Sequence, residues 1–139
     1  MQIKRSAVAH WTGNGKDGKG VLSSQSNVLA NTQYGFKSRF EEGIGTNPEE
    51  LIGAAHAGCF SMKLAFNFQA EDIIAESIET KATVVLEDGA IVEVLLDTKV
   101  QAQGLSEEKF NALVLDAKEN CPISKLLNAK ITLTHRLNS

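Results

Sequence analysis

The sequence predicts an α+β fold: two antiparallel β-sheets around a buried central helix, in the order β-β-β-α-β-β-α-β. Two observations carry this reading. Runs of strand character stand at residues 3–12, 20–24, 33–41, 78–86, 91–103 and Lys130–Leu137, separated by turn residues rather than by regularly alternating helices, which excludes a doubly wound α/β sheet. One helical stretch, residues 48–69, is apolar nearly all round. A single small sheet covers one face of such a helix, so a second sheet or a partner subunit must cover the rest.

The elements follow in order. Ile3, Arg5, Ala7 and Ala9 alternate with Lys4, Ser6, Val8 and His10. The glycine-rich run Gly13-Asn14-Gly15-Lys16-Asp17-Gly18-Lys19-Gly20 is a turn that leads into a second short strand. After a polar stretch to Thr32, residues 33–41 read as a third strand with Tyr34, Phe36 and Phe40 on even positions. Then the period changes. In Gly45-Thr46-Asn47-Pro48-Glu49-Glu50, Asn47 is placed to cap a helix and Pro48 sits at its first position, where a missing N–H is harmless. Glu49 and Glu50 suit the positive end of the helix dipole. Alternation resumes with Ile78, Thr80, Ala82, Val84 and Leu86, and Asp88-Gly89 predicts a two-residue hairpin. Ser106 opens a second helix over residues 106–120, striped by Phe110, Leu113, Val114 and Ala117. Cys121-Pro122 opens a short helical segment, residues 122–127, before the last strand.

Composition bounds the function. With 139 residues, 42% hydrophobic and 22% charged, the chain reads as one soluble domain, residues 1–139, able to bury a core without staples. A formal net charge of -3 gives no basic face for nucleic acid, and six Phe, one Tyr and one Trp offer little for base stacking. Lys4 and Arg5 are not followed by an apolar stretch of signal-peptide length. The most apolar stretch, residues 51–66, is interrupted by His56, Ser61 and Lys63, too short and too polar to span a membrane. The expectation is a cytoplasmic protein, where two cysteines, Cys59 and Cys121, are catalytic or inert rather than structural.

Cys59 lies mid-helix, as a small core hydrophobe or as a reactive thiol that needs a cation or donor nearby. Cys121 precedes a helix, where it either fills a cap position or gains reactivity from the helix N-terminus. Neither belongs to a C-x-x-C pair. Arg39 is either a solvated charge or the group that activates a thiolate and orients a peroxide oxygen. Glu49 either complements the helix dipole or holds an arginine bidentately. His56 precedes Cys59 by three residues, on one helix face, as a buried hydrogen-bonded histidine or as a base or ligand. No spacing matches a zinc site, a phosphate loop or a nucleophile elbow, so no metal and no cofactor is expected. Glu49 and Cys59 are ten residues apart, roughly 15 Å along a straight helix. If both serve one small site, one of them comes from another subunit.

The run Gly45-Thr46-Asn47-Pro48-Glu49-Glu50-Leu51-Ile52-Gly53-Ala54-Ala55-His56-Ala57-Gly58-Cys59-Phe60-Ser61-Met62 resembles the signature of the osmotically inducible protein C family, which includes the organic hydroperoxide resistance proteins. Glu119-Asn120-Cys121-Pro122-Ile123-Ser124 resembles that family's second-cysteine motif. Ala9-His10-Trp11-Thr12-Gly13 and Ile131-Thr132-Leu133 also fit, so the likeness spans the chain. The resemblance implies a thiol-dependent peroxidase that reduces organic hydroperoxides, and hydrogen peroxide less well, without metal or flavin. It implies an intertwined homodimer with active sites at the subunit interface. By position, Cys59 corresponds to the peroxidatic thiol, Cys121 to the resolving thiol, and Glu49 to the active-site acid. Arg39 corresponds to the arginine of the osmotically inducible branch, which carries it in a G-F-x-x-R-F run before the helix. The Asp88-Gly89 hairpin is short for that branch.

The implied cycle starts with Cys59 thiolate, held by Arg39 and Glu49, attacking the terminal oxygen of R–OOH. The resulting sulfenic acid condenses with Cys121, and a dithiol reductant, lipoyl-type or small, reopens the disulfide. Phe36, Phe40, Phe60 and Leu64 are expected around a bulky alkyl group. The rival readings are a non-catalytic redox sensor or stress-binding protein, and a hydrolase pairing Cys59 with His56.

Overall fold

The computed structural model describes all residues, Met1–Ser139. They fall into two compact units, Met1–Leu51 and Ile52–Ser139. The observed order is β-β-β-α-α-β-β-α-α-β, with two more short helices than the β-β-β-α-β-β-α-β order shows.

In the first unit, β1 (Ala7–Thr12), β2 (Lys19–Ser24) and β3 (Thr32–Tyr34) form an antiparallel sheet in that order. Gly20 lies in register with Trp11 on one side and Tyr34 on the other. Because Gly20 has no side chain, the two rings meet across it, with centroids 5.5 Å apart. A Cβ at this position would stand 2.5 Å from the Tyr34 ring.

The chain does not form the single strand expected over residues 33–41. The strand ends at Tyr34, and Phe36–Phe40 forms a single helical turn, α1. Even-numbered spacing misled the sequence reading, since positions 36 and 40 are also neighbours on a helix. Their rings lie 5.0 Å apart. Ser38 decides the matter locally: its hydroxyl accepts the Gly35 N–H at 2.9 Å and donates to the Thr46 carbonyl at 2.7 Å. Such side-chain bonds compete with a sheet ladder.

Helix α2 (Pro48–Ala70) starts where the sequence predicts. Asn47 Oδ1 accepts the Glu50 N–H at 2.7 Å, which satisfies one of the free donors of the first turn. Ile52–Ser139 holds the remainder of α2 with β4 (Ser77–Glu87), β5 (Ala90–Gln101), α3 (Glu107–Asn120), α4 (Pro122–Leu126) and β6 (Lys130–Leu137). Asp88 and Gly89 turn β4 into β5 with φ of 49° and 79°, the left-handed pair that an Asp-Gly hairpin requires. Ser106 caps α3 by accepting the Lys109 N–H at 3.1 Å.

The second sheet has the order β4-β5-β6, and it is mixed rather than antiparallel. β4 and β5 pair antiparallel, but β6 pairs parallel to β5. Two helices stand between β5 and β6, and a connection of that length returns the chain to the same end of the sheet. Central strand β5 buries Val94, Leu96, Thr98 and Val100 on one face.

That face packs with Phe110, Val114 and Ala117 of α3 and with Phe60, Leu64 and Phe68 of α2. Burial of α2 is limited to one stripe, Gly53, His56, Phe60, Leu64 and Phe68. On the opposite side Met62 is 65% and Phe66 58% exposed, so within one chain the helix is not covered all round. No helix is long and apolar enough to cross a membrane.

Candidate active site

The second unit brings the two cysteines together. Cys59 stands on α2, half-buried, and Cys121 is fully buried at the joint between α3 and α4. The Cys121 N–H closes α3 by donating to the Ala117 carbonyl at 3.1 Å, and its carbonyl opens α4 by accepting the Lys125 N–H at 3.1 Å. Pro122 at the first position of α4 needs no acceptor. The Cys121 side chain makes no capping bond, so its sulfur is free to face α2.

Both thiols are free, and Cys121 and the backbone of Ile123 are the neighbours that act on Cys59. Burial pushes the Cys59 thiol up from its ordinary value. The neighbouring Cys121 pushes the same way, while the Ile123 backbone N–H pulls down. These groups alone hold Cys59 as a thiol. A thiolate there needs a cation in addition.

The first unit pairs Arg39 and Glu49. Arg39 Nε donates to Glu49 Oε1 at 2.9 Å. The arginine side chain is 40% exposed and the glutamate 12%. The pairing uses one guanidinium nitrogen rather than a bidentate fork. The terminal nitrogens of the guanidinium therefore remain open to another acceptor. Arg39 also lies over the Phe40 ring, 5.0 Å from its centroid.

A polar network that sequence reasoning missed sets this pair in place. Ser38 binds the Thr46 carbonyl, and Asn47 Nδ2 donates to the Ser38 carbonyl at 3.0 Å. These bonds tie α1 to the start of α2, one residue from Arg39 and two from Glu49. A cavity of about 90 Å³ beside Arg39 is lined by Trp11, Tyr34, Phe36, Phe40 and Pro48.

Phe36 and Phe40 line the same cavity as Arg39, whereas Phe60 and Leu64 belong to the core of the second unit. Both are fully buried core residues, because they continue the inward stripe of α2. His56 belongs to the same stripe. Its Nε2 lies 2.8 Å from Ser124 Oγ on α4, and its buried Nδ1 has no partner. Desolvation lowers its basicity. The imidazole therefore serves Ser124 and not the Cys59 sulfur, which removes the geometry that a Cys–His hydrolase needs. No group of three or more His, Cys, Asp or Glu side chains is placed to hold a metal ion.

A family model described as OsmC-like protein matches residues 41–136, from just before the start of α2 to the last strand. The chain belongs to the OsmC-like family. Among OsmC-like relatives, peroxiredoxin OsmC of Escherichia coli (strain K12) is 43% identical over 100% of both chains. Organic hydroperoxide resistance protein OhrA of Bacillus subtilis (strain 168) is 30% identical over 86% of each. The crystal structure of OhrB of Bacillus subtilis superposes with a TM-score of 0.64 at 25% identity, covering 96% of this chain and 98% of that one. An OsmC-like protein of Vibrio cholerae shares the fold at a TM-score of 0.76 and 15% identity, covering 96% and 99%.

Proposed function

We propose that this OsmC-like protein reduces organic hydroperoxides to alcohols, and hydrogen peroxide less well, in peroxide stress defence. Its relatives mark it as a cysteine-based peroxidase. The observation that carries the reading is the meeting of two reduced thiols, Cys59 and Cys121, from separate helices of one compact unit. Cys59 thiolate attacks the terminal oxygen of R–OOH. The O–O bond breaks, R–OH leaves, and Cys59 becomes a sulfenic acid. Cys121 attacks that sulfur, the S–O bond breaks, and water leaves as the Cys59–Cys121 disulfide forms. An external dithiol of lipoyl or small type restores both thiols, with no metal or flavin in the cycle.

Arg39 orients the peroxide and stabilises the thiolate, and Glu49 orients Arg39. The working form is a homodimer. Two observations support it: the exposed apolar side of α2, with Met62 and Phe66, and the ten-residue separation of Glu49 and Cys59 on one unbroken helix. The two free thiols fit a reducing, cytoplasmic setting.

Single-turnover oxidation by cumene hydroperoxide and by hydrogen peroxide tests the reading, with thiols counted by mass spectrometry. Fast loss of two thiols into a Cys59–Cys121 bond, faster with the organic peroxide, is the expected result. The alternative is a non-catalytic redox sensor, whose thiols would oxidise slowly and sub-stoichiometrically. Slow oxidation without preference between peroxides would establish that reading instead.

A further inference from the structure

We infer that His56 and Ser124 form a latch that holds the Cys121 segment against Cys59 while the disulfide forms. This inference rests on the peroxidase reading above. Helix α4 is a single turn whose Pro122, Lys125 and Leu126 are exposed. Its buried face consists of Cys121 and Ser124, three residues apart. Both reach α2: Cys121 meets Cys59, and Ser124 meets His56 at 2.8 Å. His56 and Cys59 are also three residues apart, so the contacts form two rungs, 59 with 121 and 56 with 124.

The first rung is consumed by the reaction. Peroxide adds an oxygen to Cys59 Sγ, and the thiol–thiol contact no longer exists in its original form. The second rung does not change. It keeps α4 in register until Cys121 attacks the Cys59 sulfur, when the S–S bond forms and the oxygen departs with both protons as water. A disulfide tolerates only a narrow Cα separation, so loss of register is felt directly in this step.

The burial of His56 fits a latch better than simple packing. The residue is fully buried, yet Nδ1 has no partner. A buried donor without an acceptor is costly, which assigns the proton to Nε2 and makes His56 the donor to Ser124 Oγ. An apolar side chain would fill the same space without leaving a nitrogen unpaired. His56 is thus a positioning residue for the resolving step.

The test follows both phases of oxidation by cumene hydroperoxide in the full-length protein. A sulfenic-acid-trapping dione reports the first phase, and intact mass reports the disulfide. In Ser124→Ala the first phase keeps its wild-type rate. The second slows about tenfold, the factor given by losing a buried hydrogen bond of ~1.4 kcal/mol, and sulfenic acid accumulates. His56→Leu behaves likewise. His56→Gln, which retains a donor, recovers most of the second-phase rate. Equal slowing of both phases, an unchanged second phase in Ser124→Ala, or no difference between Gln and Leu at position 56 overturns the inference. If wild type itself forms no Cys59–Cys121 disulfide, the peroxidase reading fails first, and that outcome is distinct from the others.

Discussion

Asn47 is a residue whose two polar ends do different work, and its substitution separates stability from activity. Oδ1 accepts the Glu50 N–H at 2.7 Å, and Nδ2 donates to the Ser38 carbonyl at 3.0 Å. Loss of an N-cap costs about 1 kcal/mol and loss of a part-buried hydrogen bond about 1 kcal/mol, so Asn47→Ala should destabilise by about 2 kcal/mol. At this chain size that is a fall in melting temperature of roughly 6–8 °C. Asn47→Asp keeps the cap acceptor and places a charge that suits the helix dipole, but it sets a carboxylate oxygen against the Ser38 carbonyl. It should cost about 1 kcal/mol. The proposed function predicts that both variants lose peroxide turnover by about tenfold, because α1 then holds Arg39 less firmly. Thermal unfolding by circular dichroism and peroxide consumption with a dithiol measure the two effects. A fully active Asn47→Asp protein would refute the link between this tie and Arg39. An Asn47→Ala protein as stable as wild type would refute the cap energetics.

Further predictions follow from the two units. Cys59→Ser should abolish turnover, whereas Cys121→Ser should consume one equivalent of peroxide and stall unless a thiol reduces the sulfenate. A Cys121→Ser protein that cycles normally on dithiol alone would rule out the resolving role, and coupled peroxide assays read both. Gly20→Ala places a Cβ 2.5 Å from the Tyr34 ring and 2.6 Å from the Trp11 ring. Overpacking should cost about 1–3 kcal/mol and alter the near-ultraviolet signal of Trp11. An unchanged spectrum with unchanged stability would show that the rings move aside freely.

Some of this was legible from sequence for local reasons. Helix starts at Asn47 and Ser106 and the turn at Asp88-Gly89 depend on short-range chemistry, and each stands where its residues place it. The parallel β5–β6 pair was less legible, because strand direction depends on the whole connection between them. The Phe36–Phe40 turn was misread because a spacing of four satisfies both strand and helix periods. Arg39 and Glu49 meet through a single bond, and the Ser38–Thr46–Asn47 bonds that anchor them carry no signature in a linear pattern. His56 illustrates the same limit: its helix face was readable, but its partner Ser124 lies far along the chain.

The Cys59 thiol gives the dimer proposal a quantitative edge. Burial raises it, and the groups that act on it are one thiol and one neutral backbone N–H. A raised folded value means that folding favours the protonated thiol. That contribution to stability is present below the ordinary cysteine value and is lost as pH rises through the folded one. At neutral pH a single chain should therefore alkylate slowly, with a rate that climbs only as pH passes the ordinary cysteine range. If Arg39 of a second copy supplies the missing cation, the thiolate gains at neutral pH and alkylation accelerates. Dilution through the dimer dissociation range should then slow iodoacetamide labelling of Cys59 and shift its pH profile upward. Arg39→Gln should show the slow profile at every concentration. A labelling rate independent of both concentration and Arg39 would mean that no partner cation reaches Cys59.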